Sequence, residues 1–152
     1  MRQENIVVLN ITSNSRSLPV VRGAVEQLAA SEGFSQTEAH GLVLAIDEAI
    51  ANVIKHGYGG VADQPITITL SGIRTDLGRR GIAIEVRDKG RQVDPQSICG
   101  RDLDDVRPGG LGVHIIRAVM DEAEYSCPSD GGMCLRMVKF VTERRDQPAS
   151  VS

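Results

Sequence analysis

The chain has 152 residues, 41% of them hydrophobic and 24% charged, with a formal net charge of −3. That length suits one domain able to hide roughly two-thirds of its unfolded surface, and the balance is that of an ordinary globular protein. It excludes two classes: no Lys/Arg stripe interleaved with aromatics is present to grip nucleic acid directly, and no apolar run approaches the ~20 residues that span a bilayer.

Two Tyr, two Phe and no Trp leave the core to aliphatic residues. Cys99, Cys127 and Cys134 are odd in number and have no CxxC or Cys/His ligand spacing, which points to a reducing cytoplasm. The N-terminal MRQENIVVLNIT lacks the basic n-region of a signal peptide.

In chain order, Asn5 to Thr12 is β-branched and apolar and predicts a strand. Ser17 can cap a helix with Pro19 in its first turn, continuing through Val20 to Ala30 and stopping at Gly33. Ser35 and Glu38 form a capping box for a second helix running to about His56, which Gly57, Gly59 and Gly60 end. Ile66 to Ile73 and Gly81 to Asp88 both alternate apolar and polar residues and predict a hairpin around the polar turn Thr75 to Arg80. Ser97 to Gly109 is polar and reads as a loop. Leu111 to Met120 is a helix opened by glycines. Ala123 to Ser126 and Met133 to Val141 are the last strands, joined at Ser129 to Gly132. Residues 143–152 are a polar tail expected to fray. The order β-α-α-β-β-loop-α-β-β predicts an α+β two-layer sandwich, with a mixed, mostly antiparallel sheet and about three helices on one face.

Three groups of residues carry chemistry. The first is AIDEAIANVIKHGY, residues 45–58. At ~100° per residue, Leu42, Ile46, Ala49, Ile50 and Val53 share an apolar face, and Glu48, Asn52 and Lys55 form a stripe beside it. An amide oxygen at Asn52 can ligate a hard cation such as magnesium, which takes only one or two protein ligands beside phosphates and water. Glu48, one turn away, can accept a proton from a hydroxyl. The same two residues read equally well as the solvated side of an amphipathic helix. Lys55 reads as solvent-facing, and His56 as a cation at a helix C-terminus.

The second group is Asp88 and Gly90 at a strand end. The carboxylate can accept from an exocyclic amine such as that of adenine, and Gly90 lets the backbone turn aside. An ordinary Asp-x-Gly turn fits as well. The third is Arg107-Pro-Gly109-Gly110-Leu-Gly112, which runs into a helix. Backbone N–H groups at such a start suit phosphate oxygens, and Arg107 can add a charge. A flexible loop before a helix reads the same way, and no GK[ST] follows to make a P-loop.

Their order strengthens each of them. A helical Glu-x-x-x-Asn, a strand-end Asp-x-Gly and a glycine-rich helix start resemble the N, G1 and G2 boxes of the Bergerat-fold (histidine kinase and heat-shock-90-like) ATPases. AIDEAIANVIKHGY, EVRDKGRQVDP, GGLGVHIIRAVMDEAEY and GGMCLRMVKF look like the anti-sigma-factor serine kinase branch, over roughly Ile6 to Val141. The resemblance implies a histidine-kinase-like ATPase domain over residues 1–142. It implies ATP and Mg2+ as cofactors, with Asn52 on the metal, Glu48 as catalytic base and Asp88 on the adenine amine. Gly90 would lie beside the ring, Gly110 and Gly112 against the phosphates, Arg107 near them, and Ser97 to Pro108 would be the ATP lid. Gln92 stands where the G1 box usually has a second glycine, and Met133 where the last strand commonly has Thr.

The function this implies is a cytoplasmic protein serine kinase and anti-sigma factor that binds a sigma factor and phosphorylates an anti-anti-sigma partner. Relatives of this kind often pair as homodimers through a sheet edge. The departures at Gln92 and Met133 motivate a second reading, a nucleotide-regulated anti-sigma module without useful catalysis. A third is the catalytic domain of a sensor histidine kinase, which would need a histidine-bearing partner. The docking of a partner on Arg16, Arg22 and Glu26 of the first helix competes with a solvated face.

Overall fold

A computed structural model describes residues 1–98 and 110–142. Five strands form one sheet: β1 (Arg2–Thr12), β2 (Pro65–Arg74), β3 (Arg80–Asp88), β4 (Glu122–Ser126) and β5 (Cys134–Phe140). Their spatial order is β1-β2-β3-β5-β4. Every pairing is antiparallel, so the parallel component allowed by a mixed sheet is absent among the described residues. Three helices accompany it: α1 (Leu18–Glu32), α2 (Gln36–Asn52) and α3 (Gly110–Val119).

The alternation read in the sequence is what sorts the two faces. Ile66, Ile68 and Leu70 of β2, Ile82, Ile84 and Val86 of β3, and Leu135 and Met137 of β5 share one cluster with Val21, Val25, Leu28, Leu42, Ile46 and Ile50 of α1 and α2. Burying each such side chain stabilises by about 1.5–3 kcal/mol. The opposite face keeps only a small cluster of Ile73, Ala83 and Val138 with Phe140 against it.

Local signals set the helix limits. Ser35 and Glu38 make the reciprocal capping box, with the Ser35 hydroxyl accepting from the Glu38 N–H at 3.1 Å and the Ser35 N–H donating to the Glu38 carboxylate at 3.2 Å. Gly33 ends α1 at φ +95°. Ser17 precedes α1, and Pro19 lies in its first turn, but the Ser17 side chain makes no capping bond. Asn14 caps the short turn ahead of it instead, accepting from the Arg16 N–H. α2 stops at Asn52, and Val53–Gly57 continues as a π-turn. The expected single helix to His56 is thus two segments. Such π insertions widen the backbone and recur where a helix must present groups to a site.

Two close approaches fix the layers. A Cβ at Gly41 would lie 3.3 Å from a methyl of Val119, so α2 and α3 meet there nearly backbone to side chain. At the far end of the sheet from Asp88, the buried Glu32 carboxylate accepts from Arg80 at 3.3 Å and from the Asn5 amide at 3.4 Å. A Cβ at Gly72 would stand 2.3 Å from that carboxylate, which explains the glycine inside β2.

Candidate functional site

Asp88 is the last residue of β3 and is buried. Its Oδ1 accepts two backbone N–H groups, from Gly90 at 2.8 Å and from Met133 at 3.2 Å. No described residue donates to its second oxygen, Oδ2, and the whole carboxylate packs against Gly57, where a Cβ would lie 3.6 Å from Oδ2 and 3.7 Å from Oδ1. The carboxylate is therefore held by one oxygen, with the other left to accept.

Glycines make this possible. A Cβ on Gly90 would fall 2.3 Å from the Gly57 carbonyl oxygen, and one on Gly132, at φ +72°, would fall 1.9 Å from the Asp88 carbonyl oxygen. The Gly57 carbonyl also accepts from the Arg91 N–H at 2.9 Å. The π-turn after Asn52 is what carries Gly57 to this position. Its neighbour Tyr58 adds a second tie, with its hydroxyl donating to the Pro65 carbonyl and accepting from the Lys89 N–H at 2.7 Å. Burial raises the Tyr58 pKa, the Lys89 bond lowers it, and the Asp88 charge raises it; the net shift is upward.

Asn52 closes α2, with Glu48 one turn before it. The Asn52 side chain lies close to the phenol of Tyr125 in β4. That phenol is pushed up chiefly by burial, against the lowering effects of the Arg117 charge and of the Asn52 amide. Tyr125 stands opposite Leu135, and Leu135 opposite Val86, two residues before Asp88. Asn52 and Asp88 thus lie over the same end of the sheet. The Glu48 side chain is half-exposed, and no other described residue bonds to its carboxylate.

Gly110 is the first residue of α3, and Gly112 lies in its first turn. Residues 99–108 of the expected lid, Arg107 among them, and Gly109 lie outside the described residues, as does the tail 143–152. Lys55 and His56 are exposed, in keeping with the solvent-facing reading. On α1, Arg22 pairs with Asp47 of α2 at 2.9 Å. No helix among the described residues is long and apolar enough to cross a membrane. Among them, too, no three His, Cys, Asp or Glu side chains gather as a metal cluster.

Sequence reasoning passed over Tyr58, Tyr125 and Asp130. Tyr58 ends the first motif and Tyr125 the third, so proximity to a motif was the available signal. Asp130 carried none beyond its place in a turn.

An antiparallel sheet with helices on one face and a strand-end carboxylate ringed by glycines is an α+β architecture consistent with a histidine kinase-like ATPase domain. The chain belongs to the histidine kinase-like ATPase domain family, whose model matches residues 11–139. It is similar to the protein named Serine-protein kinase RsbW in Listeria monocytogenes serovar 1/2a, at 24% identity over 143 residues, covering 91% of this chain and 89% of the relative. Its likeness to the protein of that name in Halalkalibacterium halodurans is 27% over 155 aligned positions, covering 97% and 89%. For Bacillus licheniformis the figures are 24% over 131 residues, 83% and 80%.

Proposed function

We propose that this chain is an ATP-dependent protein serine kinase and anti-sigma factor, which binds a sigma factor and phosphorylates a serine of an anti-anti-sigma partner. The observation that carries the reading is the Asp88 carboxylate, pinned through one oxygen and open at the other, over the same sheet end as Asn52 and Glu48. The names and coverage of the relatives support the choice of reaction.

In this reading Asp88 Oδ2 accepts the exocyclic amine of adenine, and the close packing of Gly57, Gly90 and Gly132 keeps side chains away from the ring. The donor set suits Mg2+: the Asn52 oxygen is a hard ligand, with phosphates and water supplying the rest. Held there with ATP, the ion would supply charge neutralisation to the phosphates. N–H groups at the start of α3, through Gly110 and Gly112, favour the phosphate oxygens, and Arg107 adds a cation. Glu48 takes the proton of the substrate serine as its Oγ bonds to the γ-phosphorus. The bond from that phosphorus to the β–γ bridging oxygen breaks, and ADP leaves. Catalysis of this kind is mostly positioning and charge stabilisation.

The test is transfer of labelled γ-phosphate from ATP, with magnesium, to a serine of a candidate anti-anti-sigma protein. Transfer supports the kinase; nucleotide binding without transfer supports the second reading, a nucleotide-regulated anti-sigma module. The departures of Gln92 and Met133 from the resembled motifs motivate that second reading. Calorimetry showing that neither ATP nor ADP binds would remove both.

A further inference from the structure

The loop from Cys127 to Met133 supplies one of the two N–H groups that pin Asp88. Met133 donates to Asp88 Oδ1 at 3.2 Å, and its carbonyl accepts from the Asp88 N–H at 3.0 Å. The loop is in turn fastened by side chains to the segment that follows β3. Asp130 accepts from Lys89 Nζ at 2.7 Å and from Arg87. Gln92 donates through Nε2 to the Pro128 carbonyl at 2.9 Å. The Cys127 thiol meets the Val93 carbonyl at 3.3 Å and the Met133 sulfur at 3.5 Å. Arg87 and Lys89 are two apart, so they project from the face of β3 opposite to Asp88. Asp130 pairs with both cations there, and hydrogen bonding to Lys89 chiefly holds its carboxyl below the usual range.

We propose that Asp130 and Gln92 are positioning residues for base selection. They clasp the Cys127–Met133 loop to the Lys89–Val93 segment, and so fix which oxygen of Asp88 is left for the purine. The inference rests on the nucleotide reading above. Each tie is exposed and weak alone, as surface ion pairs are. Their effect comes from converging on a loop of seven residues that contains two glycines at positive φ, Gly131 and Gly132, which has little stiffness of its own.

The experiment compares wild type with the double variant Asp130→Ala/Gln92→Gly, measuring ATP and GTP affinity by calorimetry. Loss of two hydrogen-bonded ties should weaken ATP binding by about tenfold while GTP binding stays level, so the preference for adenine falls by the same factor. Equal weakening of both nucleotides would mean a merely structural role and would overturn the proposal, as would an undiminished preference. If the double variant fails to fold by its melting profile, Asp130→Asn, which keeps the shape and removes the charge, should show a smaller loss in the same direction. Asp130→Glu should restore the preference. A wild type that shows no preference for ATP removes the nucleotide reading itself. A wild type that prefers ATP beside a variant that prefers it equally removes only the clasp.

Discussion

Two carboxylates, Glu48 and Asp88, stand in contrasting environments. Glu48 is half-exposed and has no bonded partner among the described residues, which suits the role of base proposed for it. Glu48→Ala should lower phosphotransfer to the partner serine by ~10²–10⁴-fold, the usual worth of a positioned base. ATP affinity, read by calorimetry, should change little. Asp88 is buried with one oxygen saturated by backbone donors. Asp88→Asn can turn a donor toward the base where an acceptor is needed. Competition between ATP and GTP should then show loss of the adenine preference. The placement of these residues was legible because it depends on short spacings: one helical turn for Glu48 and Asn52, two residues for Asp88 and Gly90. The phenols near them were not, because Tyr125 reaches Asn52 across the fold, and no local pattern records such a contact.

Elements were legible where their signals are local. The capping box at Ser35 formed as read, and Glu38 gains a further bond from the Thr142 hydroxyl at 3.0 Å. Burial raises the Glu38 pKa, but its bonds to Ser35 and Thr142 outweigh this and bring it below the ordinary carboxylate value. Ser35→Ala should cost about 1 kcal/mol, the typical worth of an N-cap, measured as a shift of the urea midpoint. The π-turn at Val53–Gly57 was invisible, since the apolar spacing of α2 runs on smoothly to Val53 and a widened turn changes no residue type. The start of β5 moved one residue for a comparable reason: Met133 is committed to Asp88, which lies beyond any strand periodicity. Ser17 holds the cap position without the bond, because Asn14 caps the turn just before it.

At the scale of the molecule, alternation predicted two layers, and the burial of one sheet face against α1 and α2 follows from it. The neighbour order β3-β5-β4 was beyond alternation, which says which face a residue takes and nothing about which strand lies alongside. The chain's two tyrosines both bridge elements, and both phenols are raised mainly by burial. A raised phenol is held protonated by the fold. The stability it contributes is complete below the unfolded value of about 10 and is lost as pH climbs through the higher folded value. Denaturant midpoints should therefore fall above about pH 10. The phenolate absorbance of the folded protein should titrate later than that of the unfolded chain, and Tyr58→Phe should flatten the fall.

The sheet's first strand has its ladder partner far along the chain, with Thr12 opposite Pro65 and Arg2 opposite Arg74. During synthesis β1 therefore leaves the ribosome before its partner and waits while two helices and the whole of β2 are made. Ile6, Val7 and Val8 remain well exposed even in the finished fold. Nascent β1 is thus an apolar ribbon without a mate for much of translation, and the completion of β2 is the moment at which the newborn chain can first shelter it.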